Sequence, residues 1–308
     1  AIPLLGALAL AAQRLLPLLQ LIYGNWSNVT GNQSALGEVA DFLEQKIPKE
    51  NEIKVNSYLG FKKKIEFKNI NFSYDEDNSS ILKDANFSID KGSRVGIVGQ
   101  TGSGKSTLVD ILMSLLEPIS GQIYVDDKEL KKNDYKLWRS MISHVPQSIF
   151  LTDSSIKDNI AFGLDSSLIN LSLVEESGKS AMLSDFINSL EKGYDTLVGE
   201  GGARISGGQK QRIGLARALY KESSILVLDE ATSALDDDTE RKVMDSIKNL
   251  SNNQTIIIIA HRLSTLESCN KILYLEDGLL VDLGTYRDFI NSEKFPKMEF
   301  DEDKQSAS

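Results

Sequence analysis

The first 47 residues are dominated by apolar positions. Residues 1–12 carry no charged side chain, and the apolar run resumes from Leu15 to Tyr23 after Gln13 and Arg14. Since a helix needs about 20 consecutive apolar residues to cross a bilayer, the run 1–12 alone is too short to span one. Two structures fit this pattern: the inner end of a transmembrane helix whose remainder is missing, or a buried helix of a soluble protein.

The apolar run gives way to an amphipathic segment and then to a polar one. From residue 24 to 47 apolar residues recur at helical spacing, and Pro48 stops the pattern. Residues 49–64 are polar and charged, as linkers are. Residues 297–308 are charged and small, and we predict a flexible tail over residues 291–308. The pattern therefore sets apart a domain between residues 65 and 290.

Within this domain, short strands alternate with helices. Residues 65–72 alternate between apolar and polar side chains, as half-buried strands do. The continuous apolar runs 225–228 and 256–259 are typical of strands buried on both faces of a parallel sheet. Residues 153–215 are predicted to be mostly helical, with loops. The domain therefore has the pattern of an α/β fold.

A glycine-rich loop follows one of the predicted strands. It consists of Gly99, Gln100, Thr101, Gly102, Ser103, Gly104, Lys105, Ser106 and Thr107, and helical spacing resumes after it. Glycines allow successive backbone N–H groups to converge on phosphate oxygens, and the following helix adds its N-terminal donors. Lys105 can reach the β- and γ-phosphates, and the Ser106 hydroxyl can ligate Mg²⁺. The loop predicts a site for a nucleoside triphosphate.

Two further groups of residues fit the chemistry of such a site. Asp229 and Glu230 follow the apolar run 225–228, at the edge where open α/β sheets bind ligands. Asp229 would lie beside Mg²⁺, and Glu230 would polarise the water that attacks the γ-phosphate. A second anion site is predicted where a helix begins, at Ser206, Gly207, Gly208 and Gln209. Because one chain offers two phosphate-facing groups far apart in sequence, we expect two chains to share nucleotides head to tail.

Together these residues resemble the nucleotide-binding domain of ABC transporters, specifically of exporters that fuse a transmembrane domain to it. The resemblance covers roughly residues 60–290, and its motifs occur in the family's order. It implies an α/β fold with a P-loop (RecA-like) parallel-sheet core, an antiparallel β subdomain and a helical subdomain at about 148–216, preceded by a long N-terminal helix. The ABC ATPase domain would be residues 65–290, and residues 1–48 would be the end of the last transmembrane helix and its cytoplasmic extension.

The resemblance also implies roles for single residues. Tyr74 is similar to the aromatic residue that stacks on adenine, Gln147 to the glutamine that contacts Mg²⁺, and His261 to the histidine that meets the γ-phosphate. The implied catalytic set is Glu230, His261, Lys105 and Gln147, and the implied Mg²⁺ ligands are Ser106, Gln147 and Asp229. ATP would be bound by Tyr74, by the loop 99–107 and, from a second chain, by Ser206, Gly207, Gly208 and Gln209.

Composition and motifs together narrow the class of protein. The 308 residues have a formal net charge of −10, which argues against a nucleic-acid partner. We therefore expect the ATPase module of an exporter, on the cytoplasmic side of the inner cell membrane. Its partner would be a second half-transporter chain, identical or different. The alternatives are a soluble ABC-type ATPase, an importer's separate ATPase subunit, and a non-hydrolysing module that gates its partner. The presence of Glu230 and His261 argues against the last of these.

Overall fold

The computed structural model of the chain describes residues 2–44, 60–74, 80–232, 234–248, 254–260 and 262–292. The chain divides into two units, Ala1–Ile53 and Lys54–Ser308. In the first unit lie two helices, α1 (Ile2–Gly31) and α2 (Gln33–Glu44). Most of the predicted linker, the predicted tail from residue 293 and Pro48 lie outside the described residues.

Helix α1 includes the apolar run and extends into the segment 24–47, where apolar residues recur at helical spacing, so the predicted long N-terminal helix is confirmed. It continues past Tyr23 to Gly31, and Asn32 connects it to α2, since the Asn32 N–H donates to Asn28 O and its carbonyl accepts from Leu36 N. The segment Pro3–Glu44 includes an 18-residue window of hydropathy 1.6, of which 0% is buried. By length and composition this segment can cross a membrane.

The second unit combines strands and helices in mixed order. Its strands are β1 (Lys64–Phe72), β2 (Leu82–Asp90), β3 (Arg94–Val98), β4 (Ser120–Val125), β5 (Lys128–Glu129), β6 (Ile142–Val145), β7 (Ile225–Asp229), β8 (Thr255–Ile259), β9 (Lys271–Glu276) and β10 (Leu279–Asp282). Its helices are α3 (Lys105–Leu112), α4 (Tyr135–Ser140), α5 (Ile156–Ile160), α6 (Leu171–Ser180), α7 (Ser184–Asn188), α8 (Gly207–Tyr220), α9 (Asp237–Lys248), α10 (Leu263–Leu266) and α11 (Tyr286–Ile290).

These strands form two sheets. The antiparallel sheet has the order β2-β1-β4-β5, and the larger sheet has the order β10-β9-β3-β8-β7-β6. In the larger sheet, the strands from β9 to β6 pair in parallel, and β10 pairs antiparallel with β9 through a short hairpin turn. Helices α5 to α8 lie between β6 and β7 in sequence and form the helical part. The predicted fold class, an α/β core with an antiparallel β part and a helical part, is confirmed.

Hydrophobic side chains cover both faces of the larger sheet. In β7, Ile225 and Val227 pack in one core cluster, whereas Leu226 and Leu228 pack in the other. Burying such a side chain contributes about 1.5–3 kcal/mol, so both faces of this strand stabilise the fold. This two-sided burial explains why β7 and β8 are continuous apolar runs in the sequence.

The folded part of the second unit begins before the predicted boundary at residue 65. Phe61 is 2% exposed and meets Trp138 edge-on, with ring centroids 6.3 Å apart. The Asp126 carboxylate accepts hydrogen bonds from the backbone N–H groups of residues 62–64, at 2.6, 2.7 and 3.0 Å. The expectation of a linker that reaches residue 64 is therefore corrected. One aromatic residue beside three lysines shows no periodicity from which its burial could be predicted.

Candidate functional site

The glycine-rich loop connects β3 to α3. A Cβ atom at Gly99 would lie 2.2 Å from the backbone oxygen of Leu275 in β9, so this position has no room for a side chain. Gly104 is the N-cap of α3 and has φ 103°, in the left-handed region that favours glycine. The Leu108 N–H donates to Gly104 O at 2.9 Å and continues the helix. The loop geometry therefore depends on glycine at both ends, as the sequence pattern predicts.

Lys105 is held inside this loop. Its side chain is 7% exposed, and its Nζ donates to Gly99 O at 2.9 Å and to Gln100 O at 3.0 Å. Burial lowers the pKa of Lys105, and the nearby Glu230 and Asp229 carboxylates partly offset this effect. The structure therefore brings the loop lysine into the electrostatic range of both predicted carboxylates.

An open depression lies over the loop. Its volume is about 540 Å³, and it is lined by residues 100–103, 276–278, Ser80, Ile81 and Lys83. Within the described residues, the buried Ser103 Oγ has no hydrogen-bond partner. A polar group left unpaired beside a glycine-rich loop fits a phosphate ligand better than an apolar one. The Ser106 hydroxyl and the Asp229 carboxylate are oxygen groups of the kind that Mg²⁺ prefers as ligands.

Tyr74 lies next to the start of α3. Its hydroxyl and the Thr107 Oγ1 are 3.2 Å apart, within hydrogen-bond distance. Its ring meets Phe72 edge-on at 5.0 Å between centroids, and the residue is 61% exposed. An exposed aromatic ring anchored beside a phosphate loop is free to stack on a planar base.

The two predicted carboxylates lie at the carboxyl end of β7. Glu230 follows the strand with φ 49°, and its N–H donates to Ile259 O of β8 at 3.2 Å. The Gln147 side chain lies just after β6, and its Nε2 donates to Glu230 Oε2 at 2.5 Å. Because β6, β7 and β8 are neighbours in the sheet, three separate segments of sequence meet at this edge. His261 lies outside the described residues.

The residues of the second predicted anion site form the start of α8. The Ser206 hydroxyl accepts a hydrogen bond from Gln209 N at 3.3 Å, and the Gln209 side chain accepts from Ser206 N at 2.8 Å. In this capping box the Ser206 hydroxyl oxygen acts as an acceptor, so the hydroxyl proton is left available to a ligand. A Cβ at Gly208 would lie 3.1 Å from Ala234 O, so this glycine also allows α8 to pack closely on the segment after β7.

One residue that supports the site was not predicted from the sequence. Gln211 is 5% exposed, and its Oε1 accepts from Ala234 N at 2.9 Å, which fixes the segment after Glu230 against α8. A buried polar residue on a helix face is visible in sequence only as an interruption of the apolar stripe. Such an interruption does not identify its partner.

Comparison with known proteins agrees with this geometry. Residues 82–233 match the family described as ABC transporter. The chain is 41% identical over 230 residues to the ATP-dependent lipid A-core flippase of Hahella chejuensis (strain KCTC 2396), covering 75% of this chain and 39% of that protein. It is 39% identical over 284 residues to the alpha-hemolysin translocation ATP-binding protein HlyB of Escherichia coli O157:H7, covering 92% of this chain and 39% of that protein.

A solved structure is similar over most of the chain. It is described as a bacterial Atm1-family ABC exporter with ATP bound, and the TM-score is 0.78 at 33% identity. The match covers 92% of this chain and 49% of the exporter chain, so this chain spans about half of that length and 39% of the two relatives above. The sequence, the fold and the loop geometry lead to the same assignment. The chain therefore carries an ATP-binding domain of the ABC transporter family, and it is similar to exporters of that family.

Proposed function

We propose that this chain is the ATP-hydrolysing module of an ABC exporter and powers the transport of a substrate across a membrane. The observation that carries the proposal is the convergence at one sheet edge of the buried Lys105, the Asp229 and Glu230 carboxylates and the Gln147 amide. A cation, two carboxylates and an amide beside a glycine-rich loop suit phosphoryl transfer to water.

The proposed roles follow from the chemistry of each side chain. Tyr74 stacks on the base, the backbone of the loop 99–107 holds the phosphates, and Lys105 neutralises their charge. Ser106, Gln147 and Asp229 hold Mg²⁺, which neutralises charge on the phosphates. Glu230 acts as the general base toward the attacking water, and His261 contacts the γ-phosphate.

The partner is proposed to be a second half-transporter chain. The Ser206 hydroxyl proton and the N-terminal N–H groups of α8 remain available for an anion, and they belong to a different part of the fold from the loop 99–107. A two-fold arrangement of two chains would place this group on the partner's nucleotide. Each ATP would then bridge two chains, and its hydrolysis would release them.

Dimerisation on ATP is the test of this arrangement. A truncated chain that begins at Asn56 and carries Glu230→Gln should sediment as a monomer when free and as a dimer with ATP and Mg²⁺. The same chain with Ser206→Arg added is the matched control. It should remain monomeric, because the arginine fills the anion site. A monomer for Glu230→Gln at saturating ATP would contradict the shared site.

The membrane placement rests on the exposed apolar side chains of α1. We propose that α1 lies in the inner cell membrane and that the ATPase domain lies on the cytoplasmic side. The full chain should then sediment with the membrane fraction and be released by detergent, whereas the chain that begins at Asn56 should remain in the supernatant. Recovery of the full chain as a detergent-free monomer would contradict this placement, because α1 would expose its apolar surface to water.

A further inference from the structure

A buried ion pair connects two segments that border Glu230. Arg262, which follows β8 by three residues, donates through Nη1 to Glu240 Oε2 of α9 at 2.5 Å. The Glu240 side chain is 4% exposed and the Arg262 side chain 22%. The other carboxylate oxygen of Glu240 accepts from Thr232 Oγ1, two residues after Glu230, at 3.0 Å. Glu240 is therefore bonded to both segments at once.

These bonds lie beside a small cavity that Glu230 borders. A cavity of about 40 Å³ is lined by Glu230, Thr232 and Arg262, together with apolar side chains of β7, β8 and α9. Arg262 Nη1 also lies 3.5 Å from Leu235 O and 3.1 Å from the exposed Asp237 carboxylate. The segment after β7 and the segment after β8 are thus fixed to a common partner, the start of α9.

A charge pair is a costly way to fill this space. Two charges that are buried lose their hydration, and their mutual attraction only partly offsets this loss. A protein with apolar residues of similar volume in their place is often as stable as one with the pair, or more stable. The pair does, however, impose distance and direction on the groups that it joins, which apolar packing does not. The pair lies between the segment after β7 and the segment after β8. Its place therefore indicates that it fixes the position of these two segments relative to each other.

We infer that Arg262 and Glu240 are positioning residues for ATP hydrolysis. They hold the segment that follows Glu230 in register with the segment that follows β8, so that Glu230 faces the attacking water. This inference rests on the proposed function, since it assigns Glu230 the role of general base. Arg262 and Glu240 act through these segments and are not required to touch the nucleotide.

The test separates positioning from stability with a paired substitution in the full chain. Arg262→Met should lower the unfolding midpoint, because it leaves the Glu240 carboxylate buried without its cation. Adding Glu240→Leu should restore the midpoint, because both charges are then gone. If the pair positions Glu230, kcat for ATP should stay at least about 10-fold below wild type in this double variant, with KM changed less than about threefold.

Two further variants complete the set. Arg262→Lys keeps the charge and loses the planar fork, so it should recover part of kcat. Asp245→Asn, at an exposed ion pair of α9 with Lys248, is the matched control and should leave kcat unchanged. Recovery of kcat together with the midpoint in the double variant would overturn the inference and leave a purely structural pair.

Failure of the proposed function has a different signature. It would appear as a wild-type chain without ATP turnover, or as equal turnover in wild type and Glu230→Gln. Hydrogen exchange then decides the inference by itself. Exchange at the amides of Glu230, Ala231 and Thr232 should be faster in the double variant than in wild type at matched global stability. Unchanged exchange at these amides would overturn the inference whatever the turnover.

Discussion

Glu230→Gln is expected to lower the rate of ATP hydrolysis by about 100-fold or more, the scale of general-base removal, and to leave ATP affinity within about threefold. The amide keeps the size of the side chain and can still pair with Gln147, but it cannot accept a proton from water. Single-turnover hydrolysis measures the rate, and equilibrium binding of ATP measures the affinity.

The chain supplies a closely matched control for this substitution. Glu222 is exposed and has φ 49°, the same φ as Glu230, so Glu222→Gln makes the same chemical change at a residue with the same φ. It should leave turnover unchanged. Near-normal turnover in Glu230→Gln would remove Glu230 from the role of general base.

Lys105→Met is expected to weaken ATP binding by about 10- to 100-fold, the cost of losing charged hydrogen bonds to the phosphates. The ATP-free protein should be at least as stable as wild type, because the variant removes a cation from a buried position. Burial lowers the pKa of Lys105, which shows that its charged form is disfavoured there. Thermal unfolding with and without ATP measures both effects, since a ligand raises the midpoint according to its affinity.

An exposed lysine provides the comparison for this second substitution. Lys242 lies on the solvent side of α9, and Lys242→Met should keep the full ATP-dependent rise of the midpoint. A Lys105→Met chain with the wild-type rise would show that the lysine does not contact the phosphates. A large loss of stability without ATP would show instead that its bonds to Gly99 O and Gln100 O hold the loop together.

Local sequence predicted the parts of the fold that depend on neighbouring residues. The loop 99–107 and the buried strands β7 and β8 are found where their patterns place them. Each is defined by a short run of residues whose backbone requirements or burial repeat at fixed spacing. The roles assigned to the site residues stay predictions, which the substitutions above test.

The boundary near residue 61 was not predictable in the same way. Phe61 is buried because Trp138 lies opposite it, and that contact joins residues 77 positions apart in sequence (138 − 61). No local periodic signal in residues 61–64 marks this contact.

The sequence by itself determined the chemistry of this protein: a loop shaped for phosphates, carboxylates at the end of a buried strand, and an apolar N-terminal segment. Only the tertiary structure decided which of these groups meet. The fold brings Gln147 into hydrogen-bond contact with Glu230, 83 positions away in sequence. It likewise brings Arg262 into contact with Glu240, 22 positions away. The physical reason is that residue type and spacing fix local conformation, whereas pairing between distant segments is fixed by burial of the whole sheet.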